Sequence, residues 1–129
     1  MSFFEQLLNI FLGKPPENPQ EIIDHFLYGY GVDFHNNNEQ LFRFNSAMDP
    51  KKIGNIIKLD RRRMKMYIKG AYHPDKIYKV SLEHCNCKDF ERRHLPCKHI
   101  YKLALELNVA SPEMDMFLEK PPENPQEII

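Results

Sequence analysis

The stretch that decides the fold is Cys85-Asn86-Cys87-Lys88-Asp89-Phe90-Glu91-Arg92-Arg93-His94-Leu95-Pro96-Cys97-Lys98-His99. It holds all three cysteines of the chain, as Cys-x-Cys, nine intervening residues, then Cys-x-His. An odd cysteine count in an intracellular chain argues against a disulfide framework, whereas three thiolates and one imidazole suit a closed tetrahedral zinc site. The metal ligands expected are Cys85, Cys87, Cys97 and His99, with Zn²⁺ as the cofactor. His84 and His94 are alternative donors by residue type, but read better as surface or hydrogen-bonding histidines.

Tetrahedral zinc places two sulfurs about 3.8 Å apart, while alternate residues of a straight strand lie about 6.6 Å apart. The chain must therefore curl at Asn86, a residue type that tolerates positive φ and so serves as the expected pivot. Cys97 and His99 would point nearly back to back on a regular helix, so they must straddle a helix start, with Pro96 suited to its first turn. Lys88, Lys98, Arg92 and Arg93 crowd this anionic centre in sequence and are expected to lower the thiol pKa values.

Working outward, short alternating segments precede the cysteines: Leu41–Phe44, Ile56–Leu59, Met64–Lys69 and Ile77–Leu82, all read as strands. In the third, Met64, Met66 and Ile68 face one way and Arg63, Lys65, Tyr67 and Lys69 the other, so it should bury apolar groups and display cations. The third and fourth form a hairpin through His73-Pro74-Asp75. After the cysteines, Ile100, Leu103, Ala104 and Leu107 make the apolar stripe of a helix that starts near Pro96 and covers the sheet. Ser111-Pro112-Glu113 would start another short helix.

The run KVSLEHCNCKDFERRHLPCKHIYKLALEL resembles the SWIM zinc finger, whose pattern is Cys-x-Cys, a spacer, then Cys-x-His, with a strand before and a helix after. Phe90 after the first pair, Pro96 before the second cysteine and Lys98 between cysteine and histidine add to the likeness, which covers Met64 to about Leu107. The resemblance implies a ββα finger with Cys85, Cys87, Cys97 and His99 as ligands, and a role in binding DNA or protein. The fold expected is thus α+β: a small antiparallel sheet with a ββα zinc finger and N-terminal helices packed against it.

Those N-terminal helices are read from two starts. Ser2 and Glu5 form a capping-box pattern ahead of Phe3, Phe4, Leu7, Leu8 and Phe11 at helical spacing. After a proline-rich connector, Asn18-Pro19 starts a second helix whose Ile22, Ile23, Phe26 and Leu27 form one face, with Gly29 and Gly31 as its stop. Asn36-Asn37-Asn38 reads as a turn. The expected organisation is 1–31 for these helices and their connector, 32–110 for the zinc-binding domain with a finger core at 64–107, and 111–129 for the tail.

That tail is a repeat: Phe117–Ile129 matches Phe11–Ile23 in twelve of thirteen places, at an offset of 106 residues. A tandem array cut short, a duplication at a gene end or in cloning, and a tail that docks in a neighbouring molecule where the first copy docks are the three readings.

The formal net charge is zero, yet Lys51–Lys102 holds 15 Lys/Arg against 5 Asp/Glu and the rest of the chain holds 3 against 13. A basic middle between acidic ends suggests a surface for a polyanion. The phosphate-contact residues expected are Lys58, Arg61, Arg62, Arg63, Lys65 and Lys69, with Arg92 and Arg93 on the loop between ligand pairs, and the partner nucleic acid is DNA ahead of RNA. The alternative is a protein-interaction or assembly subunit of a recombination, transposition or transcription complex, oligomerising through the repeated segment. No enzyme is expected: a zinc with four protein ligands has no open position, and no carboxylate pair, phosphate-cradling glycine loop or nucleophile with its base is recognisable. No window is apolar enough to cross a bilayer, and the start lacks the basic lead of a secretory signal, so the expected location is inside the cell, in cytoplasm or nucleus.

Overall fold

The structure, a computed structural model, describes residues 13–112. The helix expected over Phe3–Phe11, the one expected after Ser111 and the repeated tail lie outside the described residues.

The first described helix, α1 (Pro19–Tyr28), starts with proline at its first turn, where no backbone N–H is needed. It closes with the Gly29 N–H bonded to the His25 carbonyl at 2.8 Å. Phe26 is fully buried, and Ile22, Ile23 and Leu27 pack on the same core. Gly31, at φ 110°, turns the chain into a short 3-10 segment over Phe34–Asn36.

Helix α2 (Asn38–Ala47) replaces the strand expected over Leu41–Phe44. Asn37, read as part of a turn, is its cap: the side-chain oxygen accepts the Gln40 N–H at 2.9 Å. Cap chemistry and turn chemistry use the same residue types, and here the buried positions Gln40, Phe44 and Ala47 fall at helical spacing.

Three antiparallel strands follow in the order β1 (Ile56–Asp60), β2 (Lys65–Lys69) and β3 (Ile77–Ser81). The β1–β2 turn passes through Met64 at φ 58°, and the Asp60 carboxylate holds it by accepting from the Arg63 N–H and guanidinium. The hairpin through His73-Pro74-Asp75 closes with the Lys76 N–H on the His73 carbonyl and the Gly70 N–H on the Lys76 carbonyl. Met66 pairs with Val80 and Ile68 with Tyr78, and these face the core.

The other face carries Lys58, Lys65, Lys69 and Lys79, as pairing of Lys58 with Tyr67 and Tyr67 with Lys79 requires. Tyr67 departs from its expected display on this face. A bulge between Ile56 and Lys58 turns Ile57 outward, and Ile57 and Ile77 bury the Tyr67 ring in a small second cluster.

Beyond β3 come α3 (Lys88–Arg93) and α4 (Lys98–Glu106). Helix α4 lays Ile100, Tyr101, Leu103 and Ala104 into the core, covering the inner sheet face and packing on α2.

Candidate metal centre

The four donor residues come from three local devices. After β3 the chain doubles back: the Ser81 N–H donates to the His84 carbonyl at 2.8 Å, and Cys85 bridges to Val80. Asn86 then accepts the Lys79 N–H on its side-chain oxygen at 2.7 Å. Asn86 does not take positive φ, which among the described non-glycine residues belongs to Met64, His94 and Asn108. It pivots the knuckle through its side chain, pinning the curl to the strand it has just left.

Cys87 stands at the N-cap of α3 and Cys97 at the N-cap of α4, with His99 in the first turn of α4. The nine-residue spacer, expected as a loop, is a short helix closed by His94 in the left-handed region at φ 55°. Its charged pattern hid it, because only Phe90 among its residues is buried. Straddling of the helix start by Cys97 and His99 is as the spacing required.

Cys85, Cys87, Cys97 and His99 are all buried, and their donor atoms lie within 4.8 Å of one another. His99 Nδ1 is 3.7 Å from Cys85 Sγ and 3.9 Å from Cys97 Sγ, and Nε2 is buried with no hydrogen-bond partner among the described residues. A buried imidazole turned on three sulfurs makes electrostatic sense when a cation sits among them. The donor set, its closure and its size fit Zn²⁺ held by three thiolates and an imidazole nitrogen.

Close packing of the three thiols pushes their acidities apart. Cys87 is driven down by the hydrogen bonds it receives from Cys85 and Cys97. Cys85 is driven up by its bond with Cys87, and burial pushes Cys97 up to about 12. Full deprotonation therefore needs a dication. Of the cations expected to depress the thiols, Lys98 is pushed down by burial, which the charges of Cys87 and Cys97 oppose, whereas Arg93 turns away to Asp89, Gln40 and the Pro96 carbonyl.

Residues 75–108 match the family model of the SWIM zinc finger. This segment is similar to a SWIM zinc finger. No curated protein and no solved structure matches the chain. The match to a SWIM zinc finger and the buried group of three cysteines and a histidine make this segment a zinc-binding module, with Cys85, Cys87, Cys97 and His99 as the residues able to hold the ion. His84 and His94 lie in the segment but outside the donor group, both exposed, with their rings set against Phe90 at 5.0 and 5.6 Å between centroids.

The finger is not packed alone. His35, Gln40 and Tyr101 form a buried network, with Gln40 Nε2 donating to the Tyr101 hydroxyl at 3.0 Å and the hydroxyl 2.6 Å from His35 Nδ1. Nothing in the local sequence flags these residues, since each reads as an ordinary polar position until the helices dock.

Of the residues expected at phosphate, Lys58, Lys65 and Lys69 share the outer sheet face, joined by Lys79, which the alternation of β3 could have supplied. Arg61 and Arg62 are exposed in the β1–β2 turn. Arg63 instead pairs with Asp60 and donates to the Gly13 carbonyl. On α3, Arg92 is 76% exposed in its side chain, but Arg93 is 14% exposed and saturated with partners. Among the described residues no helix is long and apolar enough to cross a membrane.

Proposed function

We propose that this protein is a zinc-nucleated module that binds nucleic acid, DNA ahead of RNA, through the outer face of its sheet, and that it acts inside the cell as a binder and not as an enzyme. The observation that carries this reading is the gathering of Lys58, Lys65, Lys69 and Lys79 on one sheet face, with Arg61 and Arg62 exposed at the turn that ends it. A flat row of ammonium groups suits phosphate contacts, which give affinity with little base discrimination. Zinc with four protein ligands contributes folding free energy and leaves no site for substrate.

A salt series of DNA and RNA binding on zinc-loaded protein tests this. Affinity should fall with salt by about 0.9 log units per log unit for each duplex phosphate contact, and replacing Lys65 and Lys69 by Ala should reduce that slope. A flat salt response would count against the reading.

A second reading rests on the repeat. Ile22 and Ile23 of the first copy pack on the core, and Ile128 and Ile129 hold the same places in the second. A tail offering the same element to a neighbour would assemble copies of the chain. Light scattering that shows more than one chain, and one chain after deletion of Lys120–Ile129, would support it.

A further inference from the structure

At the hairpin end of the sheet, α2, the β2–β3 turn and the start of α4 enclose a cleft of about 460 Å³ against the metal centre. That volume falls in the ~300–1,000 Å³ range of small-ligand clefts. Its rim carries Phe42 and Tyr72, which are 62% and 65% exposed and so are among the most exposed large apolar side chains described. Each aromatic has an ammonium over its ring: Lys52 Nζ is 5.0 Å from the Phe42 centroid, and Lys98 Nζ is 4.8 Å from that of Tyr72. Lys98 is fixed there by donating to the Lys52 carbonyl at 2.6 Å, and Lys76, Lys88 and Arg43 add to the basic lining. The one carboxylate of the lining, Asp89, is already held by Arg43 at 2.7 Å and by Arg93 at 3.2 Å.

Exposed aromatic side chains with lysines beside them suit a ligand that is both planar and anionic. An acidic peptide would use the lysines but leave the rings without a partner, whereas a nucleotide uses both. A base within a duplex is paired and stacked on both faces, so it would have to be extruded at an unpairing cost before entering.

Resting on the nucleic-acid reading above, we infer that this cleft takes an unpaired base of a single-stranded nucleic acid, stacked on Tyr72 or Phe42, with the neighbouring phosphates held by Lys52, Lys76 and Lys98. Lys69, at the end of β2 beside the turn, links the cleft to the outer basic face. The strand thereby acquires a preferred anchor as well as a charged track.

The test uses the zinc-loaded full chain and two probes of one sequence: an oligothymidylate carrying a single 2-aminopurine, and its duplex with the complementary strand. The single strand should bind tighter and its 2-aminopurine emission should change on stacking. Of Tyr72→Ala and Phe42→Ala, both checked for fold by circular dichroism, the one that removes the stacking ring should weaken the single strand by roughly 5- to 150-fold. Duplex binding should be unchanged, and Tyr72→Phe should keep the affinity. Equal affinity for the two probes, or Ala variants that bind the single strand as tightly as the parent while Lys65 and Lys69 variants lose it, would overturn the cleft and leave the basic face standing. A polyglutamate peptide that competes fully, and is itself weakened by Tyr72→Ala, would assign the cleft to acidic protein and overturn it too. Absence of binding to either probe at low salt would overturn both readings.

Discussion

Gln40 Nε2 donates to the carbonyl oxygen of Pro96 at 3.0 Å, tying α2 to the residue that immediately precedes ligand Cys97. The same amide group donates to Tyr101, and its oxygen accepts from Arg93 at 3.0 and 3.1 Å. Gln40→Leu would keep the volume but take one hydrogen bond each from the Pro96 carbonyl and the Tyr101 hydroxyl and remove the amide oxygen that accepts from Arg93, at about 0.5–1.5 kcal/mol for each bond lost. Urea unfolding of zinc-loaded protein should show a loss of about 2 kcal/mol or more, and competition with a chelator should show zinc affinity roughly 10- to 100-fold weaker, as when partners behind metal ligands are removed. Unchanged unfolding and unchanged zinc affinity would show that α2 does not support the finger.

His35 is held neutral. Its Nε2 must donate to the Phe26 carbonyl at 2.8 Å, because that oxygen only accepts, so Nδ1 accepts from the Tyr101 hydroxyl. Burial pushes its pKa below the ordinary value of 6.5. Above that value folded and unfolded states are both neutral and the contribution to stability is complete. As pH falls below it, the unfolded chain takes up a proton that the folded chain resists, and stability is lost towards the folded pKa. The stability gap between the parent and His35→Gln should therefore narrow from pH 7.5 to pH 5.5 in urea titrations. A comparison by difference cancels the loss of zinc common to both proteins; a gap independent of pH would refute the assignment.

Metal removal should unfold the finger. Elemental analysis should give one zinc per chain, and chelation should cost α3 and α4 their helical circular dichroism, since such sites contribute on the order of 10 kcal/mol to folding. Uptake near neutral pH should release protons, chiefly from Cys85 and Cys97, whose pKa values their neighbours and burial push up, and an indicator dye would record them. Cys85→Ser, at a fully buried ligand, should abolish stoichiometric zinc. Retained helix content after complete chelation would mean that the metal decorates a fold formed without it.

The centre was legible because its spacing is a geometric demand that few alternatives satisfy: two sulfurs two residues apart need a knuckle, and Cys97 and His99 need a helix start between them. The sheet was legible from the alternation in Met64–Lys69 and Ile77–Leu82. What escaped was set by tertiary contact. Leu41–Phe44 alternates like a strand, but Asn37 caps a helix whose inward face is completed by Gln40, a residue that only the finger makes apt for burial. Tyr67 was placed on the correct face, yet the bulge that buries it has no local sequence signal.

Gly54 is required by a close approach. A Cβ there would overlap the Lys69 carbonyl oxygen, where the chain before β1 lies against the end of β2 and Lys69 donates its N–H to the Asn55 carbonyl at 2.9 Å. Backbone cannot yield as a side-chain tip can. Gly54→Ala should cost about 1–3 kcal/mol or more in thermal or urea unfolding, as overpacked sites do. A variant as stable as the parent would show that this edge has slack.

Arg92 and Arg93 are neighbours in sequence with opposite consequences for substitution. Arg93 bonds Asp89, Gln40 and the Pro96 carbonyl while almost enclosed, so Arg93→Ala leaves the buried Gln40 amide oxygen without its donor and takes one donor each from Asp89 and the Pro96 carbonyl. Arg92 reaches Asp89 only at 3.6 Å from an exposed position, an ion pair worth about 0–1 kcal/mol. Urea unfolding should place Arg93→Ala about 2 kcal/mol below the parent and Arg92→Ala within about 0.5 kcal/mol of it. Nucleic-acid affinity should separate them the other way. Arg92→Ala should weaken binding and shallow the salt slope with stability intact, whereas Arg93→Ala, measured on the fraction that remains folded and zinc-loaded, should leave the slope as it was. Equal stability losses in the two variants would remove the distinction drawn here between a strut of the finger and a contact on its surface.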